Sequence, residues 1–122
     1  QAHFGRQFTD VTALQDAIDQ ALKQDPSQVV LLDFYADWCV TCIQMQMNTF
    51  ADAKVQQAID GQRFFTIDVT ANTPEQQALL KQYGLFGPPG IFKLTADGKR
   101  SEALLGFVGA DEFVAWAQSP VP

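Results

Sequence analysis

The stretch from Val29 to Cys42, VVLLDFYADWCVTC, decides the fold. It opens with a short β-branched and aromatic run, Val29 to Tyr35, which is typical of a strand buried on both faces of a sheet. Cys39 and Cys42 follow that strand, and few helix-breaking residues stand between Cys39 and Phe50. The pattern predicts a buried strand that leads into a helix opened by a CxxC motif.

The segments on either side of this stretch alternate between helix and strand patterns. Further helices are predicted over 12–23 with a Thr12/Gln15 capping box, 53–59, 74–83 with a Thr73/Gln76 capping box, and 110–118. Further strands are predicted over 64–69, 90–94 and 102–105, the last two joined by an Asp97-Gly98 hairpin turn. Strands separated by helices pair in parallel, whereas the hairpin adds an antiparallel pair. We therefore expect an α/β fold with a central mixed β-sheet flanked by helices on both faces.

Length and charge narrow the possible functions. The 122 residues suffice for one domain, predicted over 9–118, with a leader or linker over 1–8 and a C-terminal tail over 119–122. The start at Gln1 without Met is typical of a processed protein or an excised domain. The net charge is −6 and the eight basic residues are scattered, so we expect no nucleic-acid partner. No apolar run approaches the ~20 residues of a membrane-spanning helix, so this segment itself is not expected to span a membrane.

The spacing of the two cysteines favours redox chemistry. Cys39 at a helix N-terminus has its thiolate stabilised by free backbone N–H groups and the helix dipole, and Cys42 lies one turn further in, within reach of Cys39. A purely structural disulfide is the first alternative, but closing so short a loop removes little chain entropy. A closed zinc site is the second, but it needs about four ligands, and His3 brings the count only to three. We expect no metal and no cofactor besides the disulfide, and His3 is expected to be an exposed tail residue.

Two acidic residues precede the motif. Asp33 interrupts an otherwise apolar strand, so we expect it to be buried, where it can exchange a proton with Cys42. An edge position that reaches water is the alternative. Asp37 is expected to be exposed and to raise the local negative potential that tunes the site.

A proline pair stands between a predicted helix and the strand over 90–94. The loop reads Gly87-Pro88-Pro89-Gly90. X-Pro bonds are the main place where cis peptides occur, so a cis peptide and a plain rigid turn are both compatible with this sequence.

These motifs together resemble a known family. The string YADWCVTC (35–42), with Asp33 before it and Gly87-Pro88-Pro89 after it, resembles thioredoxin-fold proteins. Closer still is the C-terminal thioredoxin-like domain of the DsbD family of thiol:disulfide interchange proteins. DVTAN (68–72), LLK (79–81) and Gly106-Phe107 support that resemblance, which covers about 8–118.

The resemblance implies roles for individual residues. Cys39 is the attacking thiol, Cys42 the resolving thiol, Asp33 the buried acid and Pro89 the cis-proline. Trp38, Pro88 and Pro89 border the groove that binds the partner. Two positions depart from the family pattern. Gln46 stands where relatives often carry a second acid that tunes the site, and Pro88 stands where an ordinary residue offers a backbone N–H.

The resemblance also implies a place in electron transfer. Such a domain takes electrons from a transmembrane donor domain, its own or a separate one. It passes them to a periplasmic partner domain that serves disulfide isomerases and cytochrome c biogenesis, at the periplasmic face of the bacterial inner membrane. Two other functions stay open: a free-standing thioredoxin-like reductase or oxidase, and a peptide-binding module without turnover. The reduction potential would separate the three.

Overall fold

A four-stranded mixed sheet forms the centre of the computed structural model, which describes residues 3–122. The strands are β1 (Arg6–Phe8), β2 (Val30–Tyr35), β3 (Phe64–Asp68) and β4 (Gly90–Leu94). The α-helices are α1 (Val11–Gln24), α2 (Val40–Gln44), α3 (Ala53–Ala58), α4 (Pro74–Gln82) and α5 (Ala110–Gln118). A π-helical turn, Met45–Thr49, continues α2, and a short 3₁₀-helix, Gly61–Arg63, precedes β3.

The strand order is β1-β3-β2-β4, so β2 is an inner strand. β3 pairs in parallel with both β1 and β2, whereas β4 runs antiparallel to β2. Asp33 in β2 therefore lies between Thr66 of β3 and Ile91 of β4. The predicted mixed sheet is confirmed.

Alternate residues of β2 contribute to two cores. One face packs against α1 and α4, and its buried residues include Leu32, Phe34, Leu14 and Leu80. The other face packs against the π-helical turn, α3 and α5, and its buried residues include Leu31, Met45, Val55 and Phe113. Helices therefore cover both faces, which explains why the whole of β2 is buried.

The N-terminal prediction is wrong in two details. Arg6–Phe8, predicted as leader, is strand β1, which pairs with the edge of β3. Three residues are too few to show an alternating pattern, so only this pairing defines the strand. Helix α1 begins one residue before the predicted Thr12, and the cap is Asp10, whose carboxylate accepts a hydrogen bond of 2.9 Å from the backbone N–H of Ala13.

The predicted return strand over 102–105 is also wrong. The hairpin turn is present, with Gly98 at φ +85°, but beyond it only isolated bridges join Leu94 to Arg100 and Ile91 to Leu104. The Ser101 side chain supplies the reason. Its hydroxyl oxygen accepts the backbone N–H of Lys93 at 2.8 Å, and it thereby replaces a backbone carbonyl of the sheet.

The other predicted elements are confirmed within one or two residues, except near Phe50. The helix predicted over 39–50 ends in a π turn, in which the Phe50 N–H donates to the Met45 carbonyl at 2.8 Å. The Thr73/Gln76 capping box is present at the start of α4, and Gly84 ends that helix region at φ +72°.

One buried cation joins α1 to the sheet. The guanidinium of Arg63 donates hydrogen bonds to the carbonyl oxygens of Ala21, Asp25, Gln28 and Val29, at 2.6 to 3.2 Å. Arg63 is 8% exposed. These four acceptors lie at the end of α1 and in the turn that leads into β2, so Arg63 fixes how β2 enters the sheet.

Arg63→Met is expected to destabilise the protein by about 2–4 kcal/mol, because the four carbonyl oxygens would lose their donor in a poorly solvated place. The measurement is urea unfolding of the oxidised protein at neutral pH. Lys54→Met is the control, since Lys54 forms an exposed ion pair with Asp111 at 3.3 Å, which contributes little. Equal stability of Arg63→Met and the unmodified protein would contradict this account.

Candidate active site

The CxxC motif opens helix α2 directly after β2. Cys39 is the N-cap residue, and its sulfur accepts the backbone N–H of Cys42 at 3.2 Å. Cys39 and Cys42 form a disulfide, with their Cα atoms 5.3 Å apart. The sulfur of Cys42 also lies 3.6 Å from the carbonyl oxygen of Phe34. The helix start therefore directs a backbone N–H group at the Cys39 sulfur, where it would stabilise a thiolate.

The two cysteines are almost equally enclosed. Cys39 is 6% exposed and Cys42 is 5% exposed. The two cysteines therefore do not differ in exposure in this oxidised form, and they differ instead in that Cys39 is the N-cap residue of α2.

Asp33 is buried at the centre of the sheet, with 6% of its surface exposed. The edge alternative is wrong because β2 has a paired strand on either side. Burial raises the pKa of Asp33 from 3.8 to about 8, and a hydrogen bond from the Thr66 hydroxyl, 3.3 Å from Oδ2, opposes part of that rise. A carboxyl group that titrates near neutral pH is suited to accept and return a proton.

Asp37 is exposed, as predicted, and has two specific contacts. Its carboxylate accepts the hydroxyl of Tyr35 at 3.0 Å, and its backbone N–H donates to the Thr70 hydroxyl at 2.9 Å. Burial, followed by the hydrogen bond to Asp37, raises the pKa of Tyr35 to about 12. Tyr35 is thus a neutral donor that fixes Asp37 at the end of β2.

The proline loop lies close to Trp38, the residue before Cys39. The peptide bond between Pro88 and Pro89 is cis, which decides between the two conformations that the sequence allowed. A Cβ atom on Gly87 would lie 3.5 Å from the Trp38 ring, so the loop contacts Trp38. Trp38 is 58% exposed and Phe86 is fully exposed, so aromatic surface borders the disulfide region.

Gln46 is half-buried and its side-chain amide contacts the His3 imidazole. His3 is exposed, as predicted, but its ring also meets the Tyr35 ring edge-on, with centroids 5.7 Å apart. No periodic pattern or motif indicates this contact, because it joins residues 43 positions apart.

Thr66 and Tyr35 are the site residues that sequence reasoning missed. Thr66 occupies an ordinary strand position, and only its register opposite Asp33 places its hydroxyl on the carboxyl group. The sequence could have indicated Tyr35 as a site residue, because it lies two positions after Asp33 and therefore on the same face of the strand.

Within residues 3–122, no three or more His, Cys, Asp and Glu side chains come together in a group that could hold a metal ion. Over the same residues, no helix combines the length and apolarity that a membrane crossing requires.

A family model described as a thioredoxin-like domain matches residues 14–119. The chain belongs to the thioredoxin-like domain family. Among solved structures, the oxidised and reduced C-terminal domains of Neisseria meningitidis DsbD match with TM-scores of 0.88. The oxidised form is 60% identical and the reduced form 58%, and the matches cover 90% and 91% of this chain and 95% and 96% of theirs. The resemblance to DsbD C-terminal domains is thereby confirmed.

Curated DsbD proteins are also similar to this chain. The thiol:disulfide interchange protein DsbD of Neisseria meningitidis serogroup A is 60% identical over 112 residues, and that of Klebsiella pneumoniae is 41% identical over 117 residues. These alignments cover 92% and 94% of this chain but 19% of each relative. The chain thus spans about a fifth of the length of the relatives it matches. A thioredoxin from Thermus thermophilus, 23% identical with a TM-score of 0.68, shares the fold.

Asp33→Asn is expected to stabilise the oxidised protein by about 2–4 kcal/mol at pH 7. The folded-state pKa is raised, so folding favours the protonated carboxyl group. The stability that this group contributes is present below about pH 4 and is lost as pH rises through about 8. Urea unfolding at several pH values between these limits should show a growing advantage of the Asn variant.

Asp16→Asn serves as the control, because Asp16 is exposed on α1 and removal of one surface charge should change stability little at any pH. An Asp33→Asn variant that is less stable than the unmodified protein at pH 7 would refute the assignment of Asp33 as a destabilising buried acid.

Proposed function

We propose that this domain is a thiol-disulfide oxidoreductase, acting as a protein-disulfide reductase that relays electrons through Cys39-Val40-Thr41-Cys42. The observation that carries the proposal is the disulfide at the N-terminus of α2, which follows the strand that holds the buried Asp33, in a chain 60% identical to the oxidised Neisseria meningitidis DsbD C-terminal domain. The dithiol itself stores the electrons, so the proposal needs no metal or other cofactor.

The reaction follows from the roles proposed for the two cysteines. In the reduced domain, the Cys39 thiolate attacks a partner disulfide, forms a mixed disulfide and releases one partner thiolate. Cys42 then gives its proton to Asp33 in its ionised form, which is the minor form at pH 7, and attacks the Cys39 sulfur. The Cys39–Cys42 bond forms, and the second partner thiolate leaves and takes up a proton. Two electrons have passed from the domain to the partner.

The partners follow from the relatives' larger size. Since the chain spans 19% of DsbD, we place it in a larger membrane protein, where a transmembrane donor domain reduces it. A periplasmic thiol-disulfide partner domain then oxidises it, at the periplasmic face of the bacterial inner membrane. The direction of electron flow is part of this proposal, and a strongly reducing potential of the isolated domain would support it.

Partner binding is assigned to the surface around Trp38, Pro88 and Pro89. Trp38 offers exposed aromatic area, and the proline loop lies against it. Pro88 has no backbone N–H, so a partner strand that pairs with this loop can use only the Pro88 carbonyl. One missing hydrogen bond of about 0.5–1.5 kcal/mol favours rapid release, which suits a carrier that must leave its partner after each transfer.

Brief alkylation of the reduced protein should label Cys39 much faster than Cys42, because only Cys39 lies at the helix N-terminus. Mass mapping measures the ratio. Cys42→Ser should also trap a protein disulfide substrate, for which insulin is a suitable probe, as a stable mixed disulfide through Cys39.

Cys39→Ser is the matched control, and it should trap much less. Preferential labelling of Cys42, or equal trapping by both variants, would reverse the assigned roles. Failure of the reduced protein to reduce insulin or any other protein disulfide would favour a binding module instead.

Gln46→Glu should raise the pKa of the Cys39 thiol in the reduced protein by about half a unit, because a negative charge one helical turn beyond Cys42 opposes a thiolate. Thiolate absorbance against pH measures it. Gln44→Glu provides the comparison, since Gln44 is exposed on the same helix. An equal shift from both variants, or none from Gln46→Glu, would remove position 46 from the site.

A further inference from the structure

The two carboxyl oxygens of Asp33 have different surroundings. Oδ2 accepts the hydroxyl of Thr66 at 3.3 Å. Oδ1 has no hydrogen-bond partner among residues 3–122, yet every fully buried side-chain oxygen and nitrogen in that range has one. Oδ1 is therefore not sealed from solvent, which agrees with the small exposed fraction of the residue. One oxygen is anchored to the sheet by Thr66, and the other has no hydrogen-bond partner among the described residues.

Thr66 is fixed as firmly as the acid that it contacts. It is 1% exposed and lies directly opposite Asp33 in the parallel pairing of β2 and β3. Because both residues belong to inner strands, neither can move without breaking backbone pairing. The β-branched side chain of Thr66 also has few accessible rotamers, so its hydroxyl stays on the carboxyl group.

The titratable groups on the neighbouring elements have hydrogen-bond or covalent partners other than Asp33. Tyr35 on the same strand donates to Asp37, and Asp68 on β3 accepts from Thr70. Lys93 on β4 directs its amine to Ser119 and the Trp116 carbonyl at the end of α5. On α2, the cysteines are joined in the disulfide.

We propose that Thr66 is a positioning residue for proton transfer, whose hydroxyl holds Oδ2 of Asp33 and so leaves Oδ1 to carry the proton exchanged with Cys42. The inference rests on the proposed function of Asp33. During resolution of a mixed disulfide, the Cys42 proton passes to Oδ1, the Cys42–Cys39 bond forms and the bond to the partner sulfur breaks. Thr66 keeps its own proton throughout and donates it to whichever form of Asp33 is present.

The contact should favour the ionised acid more than the neutral acid, because a carboxylate is the stronger acceptor. Removal of the hydroxyl without loss of side-chain shape, as in Thr66→Val, should therefore raise the titration midpoint of Asp33 by about 0.5–1 pH unit. Thr66→Ser keeps the hydroxyl and should restore the original midpoint.

The direct test is a pH titration of the Asp33 side-chain carbon, followed by NMR in the oxidised 122-residue chain labelled at aspartate. Thr49→Val is the matched control: Thr49 is likewise 1% exposed, but its hydroxyl donates to the Val108 carbonyl at 2.5 Å. The expected result is an upward shift for Thr66→Val and none for Thr66→Ser or Thr49→Val. If Thr66→Val fails to fold, Thr66→Ala replaces it with the same expected direction.

A second readout follows the resolving step itself. The Cys39 mixed disulfide with thionitrobenzoate is prepared, and its release by Cys42 is recorded against pH. The pH midpoint of the rate should rise in Thr66→Val by the same amount as the NMR midpoint.

An unchanged or lowered Asp33 midpoint in Thr66→Val, or an equal shift in Thr49→Val, would overturn the inference. The behaviour of Asp33→Asn tests the proposed function separately. If Asp33→Asn releases thionitrobenzoate as fast as the unmodified protein at every pH, Asp33 is not the proton carrier, whatever the Thr66 titration shows.

Discussion

Pairing of β2 on both of its edges is the constraint on which the rest of the structure depends. β3 on one side and β4 on the other place Asp33 inside the sheet, and the end of the same strand delivers Cys39 to the start of α2. Arg63 reinforces the other end of β2 through four backbone carbonyl oxygens. The acid and the disulfide therefore share one rigid support, and neither depends on a mobile loop for its position.

The buried Asp33 carboxyl group lowers the free energy of unfolding at neutral pH, whereas any benefit arises only during turnover. At neutral pH, a carboxyl group with a pKa near 8 is mostly protonated in the folded protein, although it would ionise freely in the unfolded chain. Selection for stability alone would place an apolar residue or an asparagine at position 33. Its presence is explained by the proton transfer that we propose, in which the Cys42 thiol loses a proton to Asp33 during turnover.

The site combines this rigid interior with an apolar rim. Trp38 and Phe86 are exposed, although large aromatic side chains are usually placed in the core, and the cis-proline loop lies against Trp38. Such exposed aromatic surface offers contact area to the protein partner that we propose. If a partner strand pairs with this loop as we propose, the absence of a backbone N–H at Pro88 limits how firmly it can do so.

The sequence by itself determined the mixed α/β sheet, the buried position of Asp33 and the CxxC motif at a helix start, because these features depend on local periodicity, on breakers and on residue type. Sequence patterns did not predict β1, the absence of a return strand beyond Gly98 or the cap of α1 correctly. In these places, three residues or a single side chain decide the local structure. The conformation of the proline pair, the contact of Gln46 with His3 and the hydroxyl of Thr66 on Asp33 were decided by tertiary structure alone. Each of these brings together groups far apart in the chain or selects between two conformations that the local sequence permits equally, so no local pattern records them.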